Sequence, residues 1–240
     1  MTNVAYNMDC LEAMRQMPDN AFDLAVVDPP YGDACSQTVK VERERERERE
    51  PRYNRFGNPG SIFEKYKRGP DGWDLGGEVR KKIIAWDTAP DREYFEQLFR
   101  VSRNQIIWGG NYFELPPTRC FLIWRKLTIS ESFTMAMAEY AWTSFNSNAK
   151  LFEYPPQDTT RFHPTQKPIA LYAWIFKLYG QKGMKILDTH LGSGSSRIAA
   201  YDAGLDFVGY EIDKVYFDKQ EERFEKHTAQ QNLFLMEGEP

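Results

Sequence analysis

The chain has 240 residues, with 31 Lys or Arg against 35 Asp or Glu, a formal charge of -4. That length suits one domain, or one domain with a sizeable insertion; the acid excess excludes a wholesale basic coat for nucleic acid, so any such contact must come from a local patch. Cys10, Cys35 and Cys120 lack paired spacing, so no disulfide framework or metal site is expected, and without a signal-peptide pattern or a run near the roughly 20 apolar residues of a membrane span, a soluble cytoplasmic protein with no membrane contact is the reading.

In chain order, the apolar run Ala5–Met8 leads into a predicted helix at Leu11–Met17 and a strand at Asp23–Val27. Tyr94, Phe95, Leu98 and Phe99 recur at helical spacing within Glu93–Ser102. Gln105–Trp108, Cys120–Trp124 and Glu139–Phe145 are rich in aromatic and branched residues and predict strands. A helix at Ile169–Tyr179 follows Pro168, a residue favoured in a first turn. The strand Lys185–Leu187, helix Ser196–Ala203, strand Phe207–Tyr210 and helix Lys214–His227 complete the series. Alternating strands and helices predict an α/β fold, a mostly parallel sheet with helices on both faces.

Two regions break the alternation. Residues 32–85 carry Gly, Pro and charge without period, and include the alternation Glu42 to Glu50, five Glu and four Arg. Without that repeat 27 basic and 30 acidic residues remain, a charge of -3, so the exclusion stands. The repeat itself reads as a solvated segment. The second irregular stretch, Asn146–Phe162, contains Pro155 and Pro156.

Three motifs carry chemistry. Asp28-Pro29-Pro30-Tyr31 follows a strand directly, and ligands of open α/β sheets bind at carboxyl ends of strands. The prolines remove N–H donors, leaving a carboxylate and carbonyl oxygens that suit an amino group, while Tyr31 offers a face for a base. Asp188 to Gly194, reading Asp-Thr-His-Leu-Gly-Ser-Gly, joins a strand to a helix through a turn where backbone can approach a ligand closely. About twenty residues on, Glu211 ends the next strand, placed for ribose hydroxyls. Arg197 stands where a dinucleotide fingerprint has its third Gly, which favours a nucleoside without pyrophosphate over a nicotinamide cofactor. Phe162 to Pro168 leads into a helix N-terminus, where Thr165 and Lys167 could grip an anion. His163 reads as a packed or capping residue.

Taken in order, Asp28-Pro29-Pro30-Tyr31, His163-Pro164-Thr165-Gln166-Lys167-Pro168, the Asp188–Ser196 run and Gly209-Tyr210-Glu211-Ile212-Asp213 resemble the S-adenosylmethionine-dependent DNA amino-methyltransferases. The motif order, with DPPY ahead of the Gly-rich turn, is similar to their permuted β group. The resemblance covers nearly the whole chain apart from residues 32–85 and the tail. It implies a Rossmann-like class I methyltransferase fold, one catalytic domain over residues 1–240, and S-adenosylmethionine as cofactor. The implied cofactor set is Asp9, Cys10, Asp28, Thr165, Lys167, Asp188, His190, Gly192, Ser193, Gly194, Glu211 and Ile212. Within it Asp9 lies near the adenine amino group, Glu211 takes the ribose, Gly192 and Gly194 line the methionine part, and Thr165 and Lys167 meet its carboxylate. Thr189 and His190 depart from the family, which commonly has Pro and Phe there.

DPPY in this family usually implies methylation of the adenine amino group, with Asp28, Pro29, Pro30 and Tyr31 catalytic. Cytosine-N4 transfer and a binding module without catalysis are the alternatives. A base paired in a duplex must be flipped out to react. Residues 52–82 hold eight basic residues against four acidic ones, interleaved with aromatics, a composition suited to double-stranded DNA. Arg52, Arg55, Lys65, Lys67, Arg68, Lys81 and Lys82 are the expected contacts, in a flexible DNA-facing insertion over 32–85. Related enzymes often pair, which suggests a homodimer. In the tail, 228–240, Gln230, Leu233 and Phe234 resemble the short extended peptide by which bacterial replication proteins bind the sliding clamp.

Overall fold

In the computed structural model, which describes residues 2–32, 88–130, 136–156 and 160–237 (231–237 by backbone alone), the alternation seen in the sequence becomes one sheet. The elements are β1 (Asn3–Tyr6), α1 (Cys10–Gln16), β2 (Phe22–Val27), α2 (Arg92–Val101), β3 (Ser102–Trp108), β4 (Phe121–Arg125), β5 (Ala138–Thr143), β6 (Lys150–Glu153), α3 (Ile169–Tyr179), β7 (Lys185–Asp188), α4 (Ser195–Asp202), β8 (Asp206–Tyr210) and α5 (Lys214–Glu237). Contacts divide the chain into two units, Met1–Pro29 with Pro90–Pro240, and Pro30–Ala89.

The first unit carries the sheet, in the order β1-β8-β7-β2-β3-β5-β4-β6. Neighbours from β1 to β3 are parallel, and β5 runs against both β3 and β4. The strand latest in sequence, β8, lies beside the earliest, β1, which is the permuted join anticipated from motif order. Side chains alternate across a strand, so β2 feeds two cores. Leu24 and Val26 pack with Ile106, Trp108, Leu171, Ile175 and Ala199, whereas Ala25 and Val27 pack with Met14, Tyr94, Leu98 and Ile107. Helices therefore cover both faces, α3 and α4 on one and α1 and α2 on the other. Burial on both sides explains why β2 reads as a nearly unbroken apolar run. None of the described helices is long and apolar enough to cross a membrane.

Local chemistry sets the helix starts. The Asp9 carboxylate accepts Leu11 N–H and Asp91 accepts Tyr94 N–H, each satisfying a first-turn donor of α1 or α2. Gly194 caps α4 with φ of +74°, a left-handed conformation that side chains resist.

Three departures from expectation stand out. β1 stops at Tyr6 rather than Met8, and just beyond it the Asn7 side-chain amide Nδ2 donates to the carbonyls of Glu211 (2.8 Å) and Ile212 (3.1 Å). The irregular stretch 146–162 contains the strand β6. It pairs with β4, and Phe152 stacks on Trp174 at 5.1 Å, a tertiary contact that a four-residue run next to prolines does not announce. The last helix runs to Glu237 instead of His227, so the tail positions 228–237 are helical in backbone rather than extended.

Of the second unit, 30–32 and 88–89 are described. Gly32 has φ of +60°, and its Cβ position falls 2.9 Å from the amide nitrogen of Ala89. The two ends of this segment thus meet. Arg52, Arg55, Lys65, Lys67, Arg68, Lys81 and Lys82 lie outside the described residues.

Candidate active site

Because β1, β8, β7, β2 and β3 are parallel, their carboxyl ends share one edge, and β4, with the same sense, delivers its last residues there too. The antiparallel β5 brings its first residues to that edge. Asp9, Asp28, Asp188, Glu211, Lys126 and Glu139 all follow from this single fact of topology. Ligands of such sheets bind there.

At the β1–β8–β7 end the carboxylates are held by backbone. Glu211, buried, accepts Gly192 N–H at 2.8 Å and Asp213 N–H at 2.9 Å. Each oxygen keeps a second lone pair, so the group can still accept two hydroxyls. Burial raises its pKa above the usual carboxylate range. Asp9 accepts Leu11 N–H at 2.7 Å, and Ile212 beside Glu211 is 64% exposed, an apolar surface at the strand ends. Acceptors for amino and hydroxyl donors, flanking exposed apolar surface, fit a nucleoside cofactor. Cys10 opens α1 with its thiol pushed up to about 12, by burial first and then by Asp9, so it stays protonated and is no nucleophile.

Asp188 lies at the centre of the edge and is 2% exposed. It accepts His190 N–H at 3.0 Å and the Ser196 hydroxyl at 2.5 Å, which ties the Gly-rich turn to α4. Burial pushes its pKa up to about 7, with Asp28 and Glu211 adding to the rise. Gly192 has φ of +52°, and a Cβ there would meet the His163 ring at 3.3 Å. The Ser193 carbonyl accepts from Arg223 at 2.8 Å and its hydroxyl pairs with that of Ser195.

The departures at Thr189 and His190 now have a physical account. The Thr189 hydroxyl sits 2.6 Å from the Tyr94 hydroxyl and 3.0 Å from Nδ1 of His190, so a fully packed tyrosine finds its hydrogen-bond partner. Burial pushes the His190 pKa down to about 4, keeping the ring neutral, and it packs edge-on against Tyr94. A neutral ring in the place of Phe preserves the packing. Tyr94 was legible only as a core residue.

The second expectation for the 162–168 motif divides. Thr165 is exposed and its hydroxyl faces His163 Nδ1 at 3.2 Å. Lys167 is buried, with its ammonium bonded to Asp28 and 3.1 Å from Glu139. The two side chains are therefore engaged with different partners. Burial works against the Lys167 charge, but Asp28 and Glu139 outweigh it and raise its pKa. Glu139 in turn lies 2.7 Å from Lys126, and these two ammonium groups overcome its burial to hold it at about 2. His163, packed against Tyr216 and Gly192, is pushed down to about 4 by burial and by Lys167. Lys126 and Glu139 were not anticipated. A charged residue opening the apolar run Tyr140–Thr143 was the available signal.

Asp28 closes β2 and Pro29 is buried behind it. Pro30 and Tyr31 belong to the second unit.

The family model described as DNA methylase (N6_N4_Mtase) matches residues 35–222, which hold the lysine-bearing motif, the Gly-rich turn and Glu211. A type II methyltransferase of Moraxella bovis, M2.MboI, is 22% identical, over 93% of this chain and 88% of its own. Among solved structures, the PvuII DNA methyltransferase (cytosine-N4-specific) superposes with a TM-score of 0.57 at 11% identity, covering 95% of this chain and 91% of that one. The M1.HpyAVI complex with S-adenosylmethionine gives 0.50 at 16%, covering 91% and 97%. At these identities the structural likeness is one of fold.

Proposed function

The chain belongs to the N6/N4 DNA methylase family, S-adenosylmethionine-dependent DNA methyltransferases, and from that premise we propose that it methylates the N6 amino group of a flipped-out adenine in double-stranded DNA. The observation that carries this reading is the carboxylate of Asp28 at the carboxyl end of β2, on the same edge as the acceptors Asp9 and Glu211. An exocyclic amine has two N–H bonds to satisfy, and Asp28 with the carbonyl of Pro29 supplies two acceptors. Accepting them takes the nitrogen lone pair out of ring conjugation. Tyr31 stacks on the base.

S-adenosylmethionine, when bound, supplies an electrophilic sulfonium methyl. Glu211 holds the ribose hydroxyls, Asp9 the adenine amine, and the turn at Gly192 to Gly194 lies along the methionine part. Holding both reactants in register supplies much of the rate of a bimolecular transfer. As positive charge grows on the amine nitrogen, the adjacent Asp28 carboxylate stabilises it and takes part in removing the surplus proton. The basic residues of 52–82 supply phosphate contacts.

The test supplies labelled S-adenosylmethionine and unmethylated genomic DNA, then digests the product to nucleosides. Label in N6-methyldeoxyadenosine is expected. Label in N4-methyldeoxycytidine would replace the adenine reading with the cytosine one, and no label at all would return the chain to a binding role.

A further inference from the structure

Four charges of alternating sign lie side by side along the reacting edge. Asp28 follows β2, Lys167 precedes α3, Glu139 opens β5 and Lys126 follows β4. Their side chains are 13%, 4%, 25% and 7% exposed. Glu139 Oε2 lies 3.1 Å from the Lys167 ammonium and Glu139 Oε1 2.7 Å from that of Lys126. The ammonium of Lys167 stands over the Trp108 ring, 5.5 Å from its centroid, and that of Lys126 over Trp124 at 5.3 Å. Both rings are almost wholly buried, so indole faces wall the chain on its inner side.

We propose that Glu139, held in turn by Lys126, is a positioning residue for methyl transfer: by sharing the Lys167 ammonium with Asp28, it fixes the acceptor carboxylate without letting Lys167 neutralise it. The proposal rests on Asp28 being the acceptor of the target amine. A carboxylate bound to one ammonium alone is a poor acceptor, because the cation draws off the charge that should meet the amine. A carboxylate with no cation beside it is costly to bury and turns about its own bonds. An ammonium shared between two carboxylates avoids both faults. Lys126 touches Glu139 and not Lys167, so it acts through Glu139. Other ionisable groups that feel these charges are Asp188, Tyr94 and Tyr172, carried by β7, α2 and α3, and His163, which feels Lys167 from the segment ahead of α3; all four are buried.

The arrangement predicts effects in series. With S-adenosylmethionine and unmethylated genomic DNA saturating, Glu139→Gln should lower kcat at least about tenfold and Lys126→Met about threefold. Lys126→Met/Glu139→Gln should be no slower than Glu139→Gln alone, because Lys126 has nothing left to hold. The Kd for S-adenosylmethionine should stay within about twofold throughout, a separation that general loss of structure does not produce. If Glu139→Gln alone fails to fold, the double variant, which removes one charge of each sign, must show the loss. A kcat for the double variant within twofold of the parent, additive losses, or cofactor affinity falling in step with kcat would each overturn the proposal. Asp28→Ala separates the two levels: full turnover by that variant refutes the acceptor role itself, whereas an inactive Asp28→Ala beside wild-type Glu139 variants refutes the positioning role alone.

Discussion

At the β1–β8–β7 end of the sheet, Asp9, Asp188 and Glu211 are held by backbone N–H groups; at the β2–β3–β5–β4 end, Asp28 and Glu139 are held by lysine ammonium groups. A backbone N–H leaves a carboxylate its charge and fixes it through the turn that carries it. Such a group suits a ligand that is recognised but not transformed. An ammonium partner makes a charge bearable in a dry, walled site, at the risk of spending it before the substrate arrives. That suits a group that must meet charge developing during a reaction. On the proposed function, the two ends divide recognition from chemistry.

The sharpest way to break this division is a crossed pair of variants. Asp28→Ala should lower turnover by about 10³-fold or more while cofactor affinity, read by calorimetry, stays within about twofold. Glu211→Ala should do the reverse. It removes the charged acceptor of the ribose hydroxyls, bonds worth about 1.5–3 kcal/mol, and so weakens cofactor binding roughly 10- to 100-fold with little change in kcat at saturation. If both variants fail in the same assay, the division does not exist.

Acid should separate the two ends thermally. His163 and His190 have pKa values pushed from 6.5 down to about 4, so neutral rings contribute stability that is present above about pH 6.5 and lost as pH falls through 4. Each contributes on the order of 3 kcal/mol by this linkage. Glu139, held at about 2 against an ordinary 4.5, contributes stability that is present above 4.5 and lost only as pH falls towards 2. Melting temperature should therefore drop between pH 6.5 and 4 through the histidines, and His190→Phe should flatten that drop. An unchanged profile for His190→Phe would remove His190 from the account. Asp188, raised to about 7, works in the opposite direction, its contribution fading as pH rises through 7.

Smaller effects sharpen the contrast. Gly192→Ala forces a side chain into φ of +52° and against the His163 ring, costing about 1–2 kcal/mol of stability, visible as a lowered melting temperature. At the bottom of the scale, Lys226→Ala removes an ammonium–carboxylate contact with Glu222 on the exposed face of α5, and should leave the melting temperature unchanged. A measurable fall there would show that ion pairing as such, rather than burial of the pair, stabilises this protein.

Much of the carboxylate geometry at the β1–β8–β7 end was legible because one contact of each acid is local. Asp9 bonds two residues ahead, Asp188 two ahead and Glu211 two ahead, so a strand ending in an acid before a turn already states the geometry. The permuted strand order followed from motif order and was met by β1 beside β8. The chemistry end was half legible. Asp28 announced itself through Pro29 and Pro30, but its partner lies 139 residues away, and Lys167 read as a ligand for an anion outside the protein. β6 was missed because an edge strand of four residues owes its conformation to β4 and Trp174, not to its own pattern.

The sequence by itself determined the alternation of strands and helices, the family, the cofactor and the place of Asp28 at a strand end, since each is written in a few consecutive residues whose backbone conformation is locally constrained. The tertiary structure decided which charges meet. Whether Lys167 faces an external carboxylate or the Asp28–Glu139 pair depends on an antiparallel β5 delivering Glu139 to the edge where the parallel strands end. Strand direction is a long-range choice made by the packing of both sheet faces, and buried charges take whatever partners it brings within reach.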